Sequence, residues 1–244
     1  ALRDDLAAAY DEDALRSDLA AAHRLSHYYG FDEMIWNHIS ARCDDGFLVS
    51  PGDKLFDEVG AADLVLSSPD NLNVTADVIH SAIYRGRPDV GAIVHHHTTA
   101  VSAVASLADG LHYLTQDSAA FYGRVAYHDW EGLSDDYEEC ERIAAKLADG
   151  AHTVIMRNHG ALTMGATVGE AWVRHYYLDR ICRIQVAVGR QAALQPDPKL
   201  LAHAAEQYAP GSAFTHGALE WKALRRLAER LDAAGSVGRH ASVF

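Results

Sequence analysis

Two stretches of this 244-residue chain decide its fold: GAIVHHHT at residues 91–98 and TVIMRNHGALTMG at residues 153–165. Each opens with a short apolar run of the length typical of a buried strand. Each run then ends in polar residues that include histidine. In the second stretch the segment 157–160 separates two apolar runs, which predicts a hairpin. If the strands of the two stretches are neighbours, their ends meet at one edge of a sheet.

The histidines at these strand ends have the spacing of a metal site. Side chains alternate along a strand, so His95 and His97 share one face and His96 points to the other. His159 follows the second strand and precedes Gly160, a residue that permits close backbone approach. Three imidazoles on rigid elements would leave coordination positions open, as catalytic metal sites do. A polar strand end with solvated histidines is the alternative.

The rest of the chain alternates helical and strand-like patterns. A helix is expected from about Asp13 to Tyr29, closed by Gly30, and strand-like runs follow at 37–41 and 47–50. Thr167 and Glu170 form a capping box for a long helix. Further helices are expected at about 75–85, 99–106, 136–147 and 218–233. This order without strict βαβ alternation predicts an α/β layered domain with a largely antiparallel sheet.

The composition excludes several function classes. Lys and Arg number 21 and Asp and Glu 34, so the formal charge is −13, which disfavours nucleic acid and anionic membrane surfaces as partners. No apolar run reaches the roughly 18 residues that a membrane helix needs, and the acidic start does not resemble a signal peptide. The three cysteines form no C-x-x-C pair, so we expect free thiols in a reducing cytoplasm.

Five segments together resemble the class II aldolase/adducin superfamily. They are RPDVGAIVHHHT (87–98), MRNHGALTMG (156–165), WNHISAR (36–42), FLVSPGDKLFDEV (47–59) and YGRVAYHDWEG (122–132). The resemblance implies a three-layer α/β/α fold with a central, largely antiparallel sheet. It implies a single domain over residues 1–244, with a C-terminal helical extension from about residue 195. It also implies a homo-oligomer, usually a tetramer, with sites near subunit interfaces.

The resemblance also assigns a metal site. In the aldolases of this superfamily two histidines of an H-x-H motif and one later histidine hold a divalent zinc ion, and these roles fall on His95, His97 and His159. Zinc is therefore the first candidate for the cofactor, with iron(II) or manganese as alternatives. The ion acts as a Lewis acid that stabilises an enolate.

The chain departs from the aldolases at two places. Their metal-binding and acid/base glutamate corresponds to Ala76, which offers no ligand atom and no proton. Their phosphate pocket is altered as well, because Trp36 stands where they have a glycine. Asn37, Ser50 and Gly52 remain as candidate substrate-binding residues. Both changes resemble the adducin-head branch and disfavour a sugar-phosphate substrate.

Other residues complete the candidate site. Tyr113 corresponds to the region that supplies the aldolases' catalytic tyrosine, although a core tyrosine is the alternative. His80 lies one turn after Ala76 and is either a substitute acid/base or a buried structural histidine. Gln116 and Tyr122 are candidates to line the substrate pocket. In the segment Tyr127-His128-Asp129 a carboxylate could orient an imidazole.

Three functions remain open from the sequence. The first is a metal-dependent enzyme acting through an enolate on a small, carbonyl-bearing, non-phosphorylated molecule, as a C–C lyase, decarboxylase or isomerase. The second is a mononuclear non-haem iron oxygenase acting on a 2-oxo acid, although such sites more often use two histidines and a carboxylate. The third is a non-catalytic, adducin-like interaction module, which predicts no tightly bound metal.

Overall fold

The computed structural model describes residues 12–68, 74–133, 137–147 and 150–235. Within these ranges the strands are β1 (His38–Cys43), β2 (Gly46–Val49), β3 (Val65–Leu66), β4 (Ala92–His96), β5 (Val125–His128), β6 (Thr153–Met156) and β7 (Ala161–Gly165). The α-helices are α1 (Glu12–Tyr29), α2 (Val74–Gly86), α3 (Thr99–Ala105), α4 (Tyr137–Lys146), α5 (Val168–Val188), α6 (Pro198–Gln207) and α7 (Glu220–Ala233). Two predictions concern residues outside the described ranges. They are the absence of a signal peptide at the chain start and the beginning of a helix at residue 136.

The strands form one sheet in the order β3-β2-β1-β4-β7-β6-β5. Every neighbouring pair in it is antiparallel except β5 with β6. Strand β4 lies at the centre, and all five of its residues are buried. Its last part pairs on one side with β1, where His95 lies opposite His38, and on the other with β7, where His95 lies opposite Leu162. The predicted largely antiparallel sheet is confirmed.

Helices cover both faces of the sheet, because its strands are apolar on both faces. On one face Ala92 and Val94 pack with α1, α5 and α7. On the other face Ile93 and the alternate residues of β6 and β7 pack with α2 and α4. Towards β6 the first face continues into a third cluster formed with α3 and α5. The predicted three-layer α/β/α fold is confirmed by this arrangement.

Local signals explain where the two longest helices begin or end. Helix α1 stops at Tyr29 because Gly30 adopts φ +70°, which favours glycine. The Thr167 hydroxyl accepts a hydrogen bond from the Glu170 amide, which is half of the predicted capping box, whereas the Glu170 carboxylate accepts from the Ala166 amide and not from that of Thr167. Among the described residues no helix is both long and apolar enough to cross a membrane.

Candidate metal centre

The two stretches that decide the fold place three histidines at one edge of the sheet. His95 lies on β4, His97 follows its last residue, and His159 lies in the turn between β6 and β7. Their ring centroids are 4.5–5.0 Å apart. One ring nitrogen from each can be chosen so that all three lie within 4.8 Å of one another. The structure therefore brings together the three histidines that the sequence predicted as ligands.

Hydrogen bonds fix which nitrogens of His95 and His97 face the centre. His95 Nδ1 lies 3.1 Å from the Ala161 carbonyl oxygen, and His97 Nδ1 lies 2.8 Å from a Glu33 carboxylate oxygen. Both acceptors require N–H donors, so in each neutral imidazole the proton is on Nδ1 and the lone pair on Nε2. These two Nε2 atoms are only 2.7 Å apart.

Two lone pairs at that separation repel each other unless a proton or a metal ion lies between them, and the burial of His95 disfavours the proton. Zinc and similar divalent ions bind neutral imidazole nitrogens, and a third imidazole is within reach on His159. The donor set of this chain therefore fits the zinc ion that the fold family uses. The Nδ1 partners are the kind of contact that orients histidine ligands in metal sites.

Burial keeps the three imidazoles in the neutral form that binds metals. Burial and then the nearby His97 and His38 rings hold the pKa of His95 well below its ordinary value. Burial lowers the pKa of His159 to about 4. Burial also lowers the pKa of His97, although the Glu33 carboxylate opposes this shift. Metal binding would therefore displace few protons near neutral pH.

The turn that carries His159 is held tightly against β4. Asn158 adopts φ +56°, a conformation that asparagine tolerates. Ser102 Oγ donates to the His159 carbonyl oxygen at 2.8 Å. A Cβ atom on Gly160 would lie 2.7 Å from the His96 carbonyl oxygen and 2.7 Å from the His97 ring. Glycine is thus needed for the close approach that the sequence predicted.

His96 points away from the centre, as strand alternation predicted. Its ring lies 4.4 Å from that of His175 on α5, on the face packed against the helices. It is fully buried. The triple-histidine sequence therefore supplies two candidate ligands and one core residue.

His80 lies one layer behind the centre. It is fully buried, and its ring nitrogens contact His38 Nδ1 at 2.9 Å and Ser40 Oγ at 2.6 Å. The His38 ring in turn lies 4.7 Å from the His95 ring, at an interplanar angle of 33°. The structure thus places His80 within reach of the ligand set only through His38, so its catalytic role stays a prediction.

Helix α2 runs in the same direction as β1, which locates position 76. Tyr84 contacts Ser40, and His80, one turn earlier, contacts both Ser40 and His38. One further turn back, Ala76 therefore lies toward the start of β1, the edge at which the histidines meet. Ala76 is fully buried. The fold thus brings position 76 to the site, but the alanine brings no ligand atom.

The predicted substrate-binding residues near β1 and β2 lie at the same edge. Continuing the β1–β2 register, in which Ser40 faces Val49, sets residues 50–52 beside residues 37–39. Asn37 and Ser50 are buried. Asn37 Nδ2 and Ser50 Oγ lack a hydrogen-bond partner among the described residues, whereas Gly52 is half-buried. Buried polar atoms without partners are costly, so these two are open to a ligand or water.

The structure places Tyr113, Gln116 and Tyr122 in a different cluster of this chain. Tyr113 and Tyr122 pack edge to face at 5.1 Å, and the Tyr113 hydroxyl donates to the Phe121 carbonyl oxygen at 3.4 Å. Gln116 is exposed. Burial raises the pKa of Tyr113 to about 12. These contacts belong to the cluster beside α3 and α5, so the roles of the three residues remain predictions.

Two carboxylates at the site were missed. His128 is buried and its Nε2 lies 2.9 Å from Glu139, so its partner is Glu139 and the expected Asp129 is exposed. Position 139 lies on the helix that follows, and a local sequence pattern could not pair it with position 128. Glu33, which contacts His97, is separated from it by 64 residues, and no spacing rule links them.

A cavity of about 670 Å³ lies at the end of β4 that is opposite to the three histidines. It is lined by Gly91, Ala166 and Cys43, whereas the histidines follow the last residues of β4. The volume therefore does not mark the candidate centre. A small pocket beside His159 is lined by His128, Glu131 and Glu139.

Comparison with known proteins agrees with these features. Residues 17–186 match the family model described as Class II Aldolase and Adducin N-terminal domain. A Caulobacter vibrioides protein that carries the name of a class 2 aldolase is 35% identical over 88% of this chain and 89% of its own length. Alpha-adducin of Rattus norvegicus is 37% identical over 76% of this chain, but the match spans only 27% of the adducin.

Solved structures share the fold over almost the whole chain. An aldolase II superfamily protein from Pseudomonas syringae is 36% identical and superposes with a TM-score of 0.82, covering 94% of this chain and 96% of that one. An L-fuculose 1-phosphate aldolase from Glaciozyma antarctica is 26% identical with a TM-score of 0.77, covering 92% of each chain. The chain belongs to the class II aldolase and adducin N-terminal domain family.

Proposed function

We propose that this protein is a metal-dependent enzyme in which His95, His97 and His159 hold one divalent cation, with zinc as the first candidate. Its substrate is a small, carbonyl-bearing, non-phosphorylated molecule, and the reaction is of the C–C lyase, decarboxylase or isomerase type. The observation that carries the proposal is the pair of Nε2 atoms 2.7 Å apart, each with its Nδ1 committed to an acceptor. The name of the Glaciozyma relative supports a lyase.

The residues around the centre suggest how it would work. A bound divalent ion would supply Lewis-acid stabilisation of negative charge that develops next to a substrate carbonyl. Asn37 Nδ2 and Ser50 Oγ, buried at the same edge, would bind polar groups of the substrate and orient it. We propose Tyr113 as the proton donor, with Gln116 and Tyr122 beside it; because these three residues lie in a separate cluster of this chain, the proposal requires that a neighbouring subunit supplies them. His80 is the alternative acid/base.

The charge around the centre favours a non-phosphorylated substrate. The carboxylate of Glu33 contacts His97, and Glu131 and Glu139 line the pocket beside His159. Arg157 lines the same pocket, but its guanidinium donates to the Leu107 carbonyl oxygen at 2.6 Å and lies over the Tyr127 ring. Glu131 is paired with Arg142, so apart from the proposed ion a phosphate would meet the Glu33 and Glu139 carboxylates and a guanidinium that is already hydrogen-bonded, which disfavours its binding here.

We also propose that the enzyme is a homo-oligomer, and a tetramer because its family usually forms tetramers. We further propose that it acts in the cytoplasm. Met34 and Trp36, on the loop before β1, are 73% and 61% exposed. Large apolar side chains this exposed are common at protein interfaces. Small molecules, rather than nucleic acids or membranes, are its proposed partners, in keeping with the charge of −13.

The adducin relatives favour a second candidate, a non-catalytic interaction module. They match this chain at up to 37% identity, although over only 27% of the adducin's length. This candidate predicts no tightly bound metal at the three histidines. The candidates therefore differ in a quantity that can be measured without a substrate.

Metal analysis of protein purified without added metal tests the proposal. We expect about one divalent ion per chain in the wild type, and loss of the ion in His95→Ala and His159→Ala. His203→Ala, at an exposed position on α6, is the matched control and should keep the ion. Metal that is far below one per chain and unchanged by the two variants would contradict the enzyme and leave the interaction module.

The identity of the ion separates lyase from oxygenase chemistry. Zinc supports the lyase-type reaction, because zinc has no redox chemistry. Iron, together with oxygen uptake on addition of a 2-oxo acid that zinc-loaded protein does not show, would instead favour the non-haem iron oxygenase. The oxygenase is considered because Ala76 replaces the acid/base carboxylate that the aldolases need.

A further inference from the structure

We propose that Glu33 is the positioning residue that orients His97 as a metal ligand, so that a carboxylate reaches the centre from the loop before β1 instead of from position 76. The inference rests on the metal site proposed above. Glu33 Oε2 lies 2.8 Å from His97 Nδ1, on the side of the ring opposite the nitrogen that faces His95. A carboxylate there fixes the proton on Nδ1 and leaves the lone pair that can bind a metal on Nε2.

The loop that carries Glu33 is held in place at several points. Phe31 is 3% exposed and packs in the core against the His96 ring and Trp172. The Glu33 amide donates to Asn37 Oδ1, and the Trp36 amide donates to the Glu33 carbonyl oxygen at 3.0 Å. The Glu33 side chain is 57% exposed, so its backbone is what aims it at His97. Its contact with His97 therefore depends on a loop whose backbone is fixed by packing and hydrogen bonds.

The loop contains an unfavourable backbone conformation, which a segment that only connects two elements would not need. Met34 adopts φ +47°, a region in which residues other than glycine are uncommon. Such backbone strain tends to persist at functional sites, where surrounding contacts over-determine it. Here the strained residue directly follows Glu33, and the Asn37 hydrogen bond closes the same turn.

The loop also joins the metal centre to the proposed substrate site. Asn37 uses Oδ1 to hold the Glu33 amide, while its buried Nδ2 lacks a partner among the described residues. A substrate group that accepts a hydrogen bond from Nδ2 would therefore contact the residue that fixes Glu33. Position 76 lies at the same edge but contributes only a methyl group. The carboxylate that contacts the candidate ligand His97 is therefore supplied by the loop.

Zinc affinity measured by competition with a chromophoric chelator tests the inference. Glu33→Ala should weaken zinc binding about 10–100-fold, the effect typical of removing a carboxylate behind a histidine ligand. Glu33→Gln keeps an acceptor for the Nδ1 proton but loses the charge, so its affinity should be intermediate. Glu206→Gln, with the same change of charge on a side chain that is 78% exposed, is the control and should bind as the wild type does.

Nitrogen-15 NMR of the histidine rings in metal-free protein gives a second readout that does not depend on zinc. His97 should carry its proton on Nδ1 in the wild type and shift toward the Nε2 tautomer in Glu33→Ala. Unchanged zinc affinity in Glu33→Ala, or an unchanged His97 tautomer, would overturn the inference while leaving the proposed function intact. Absence of zinc binding by the wild type would instead overturn the proposed function, and this inference with it.

Discussion

Gly160 shows how a single residue sets the distance between the two halves of the candidate centre. It lets the His159 turn pass close to the end of β4, where an added Cβ would lie 2.7 Å from both the His96 carbonyl oxygen and the His97 ring. Neither neighbour can yield easily, because the carbonyl belongs to the central strand and the ring is a proposed ligand. The residue therefore serves both stability and metal binding.

Gly160→Ala should accordingly destabilise the protein and weaken metal binding together. We expect a loss of about 1–3 kcal/mol, the usual cost of overpacking, measured by urea denaturation of the metal-free protein. Gly86→Ala is the control, because its new Cβ would meet only Ala144 Cβ at an ordinary 3.5 Å. An alanine at 160 that leaves both stability and zinc affinity unchanged would show that the turn can move away from β4.

The meeting of the three candidate ligands at one sheet edge could be predicted from the sequence, whereas the residues that support them could not. Strand alternation separates His95 and His97 from His96 with no further information. The Glu33 contact joins residues 64 positions apart, and it depends on a loop with a positive φ at Met34. The pairing of His128 with Glu139 likewise depends on how α4 docks on β5. Such contacts are set by tertiary packing, which local patterns do not record.

At the scale of elements, most helices and most strands were predicted within a few residues, whereas the edge strands β3 and β5 were not. The patterns for α1, α5 and α7 locate these helices within a few residues. Strand β5 was not predicted as a strand, because it is short, half-buried and joins the edge of the sheet by a parallel pairing. Helix α6 was expected only as part of the C-terminal helical extension from about residue 195 and not as an element with its own limits, although Asp197 caps it and Pro198 occupies its first turn.

An aromatic contact is one of the interactions that attach helix α7 to the domain, alongside the apolar packing of Ala228. Trp221 packs against Gly169 at the start of α5, where an added Cβ would lie 2.4 Å from the indole, and its ring lies 6.4 Å from Trp172. The same helix also makes an ion pair, in which Arg225 lies 2.9 Å from Asp18 on α1, with both side chains about a quarter exposed.

Trp221→Ala should therefore cost more stability than Arg225→Ala. We expect roughly 2 kcal/mol for the half-buried tryptophan and less than about 1 kcal/mol for the partly exposed ion pair. Chemical denaturation of the two variants against the wild type measures both values. A larger loss in Arg225→Ala would mean that charge, and not packing, attaches α7.

At the scale of the whole molecule, most histidines among the described residues belong either to the candidate centre or to a set buried in the core, whereas others, such as His203, are exposed. His23 on α1 is fully buried with Nδ1 2.7 Å from the Leu19 carbonyl oxygen, and burial lowers its pKa to about 4. His216, beside α5, is buried among aromatic rings, and burial lowers its pKa to about 3. A count of histidines could not separate these groups, because burial is a property of the fold.

These buried histidines should make the protein lose stability as the pH falls below about 6.5. In the unfolded chain a histidine titrates near 6.5, whereas folded His23 stays neutral down to about 4. Between these values the unfolded state binds one more proton per such histidine. Each proton lowers the free energy of unfolding by up to about 1.4 kcal/mol per pH unit. Above pH 6.5 the residue is neutral in both states and has no such effect.

Replacement of His23 isolates its share from that of the acidic side chains. Denaturation of the wild type and of His23→Leu is compared between pH 7.5 and pH 5, so that carboxylates common to both proteins cancel in the difference. We expect the stability of His23→Leu to fall with acid by about 1 kcal/mol per pH unit less than that of the wild type. His203→Leu, at an exposed site, should follow the wild type. Parallel curves for the wild type and His23→Leu would mean that His23 takes up its proton without unfolding, through an opening of the packing between α1 and the Phe56 ring 4.6 Å away.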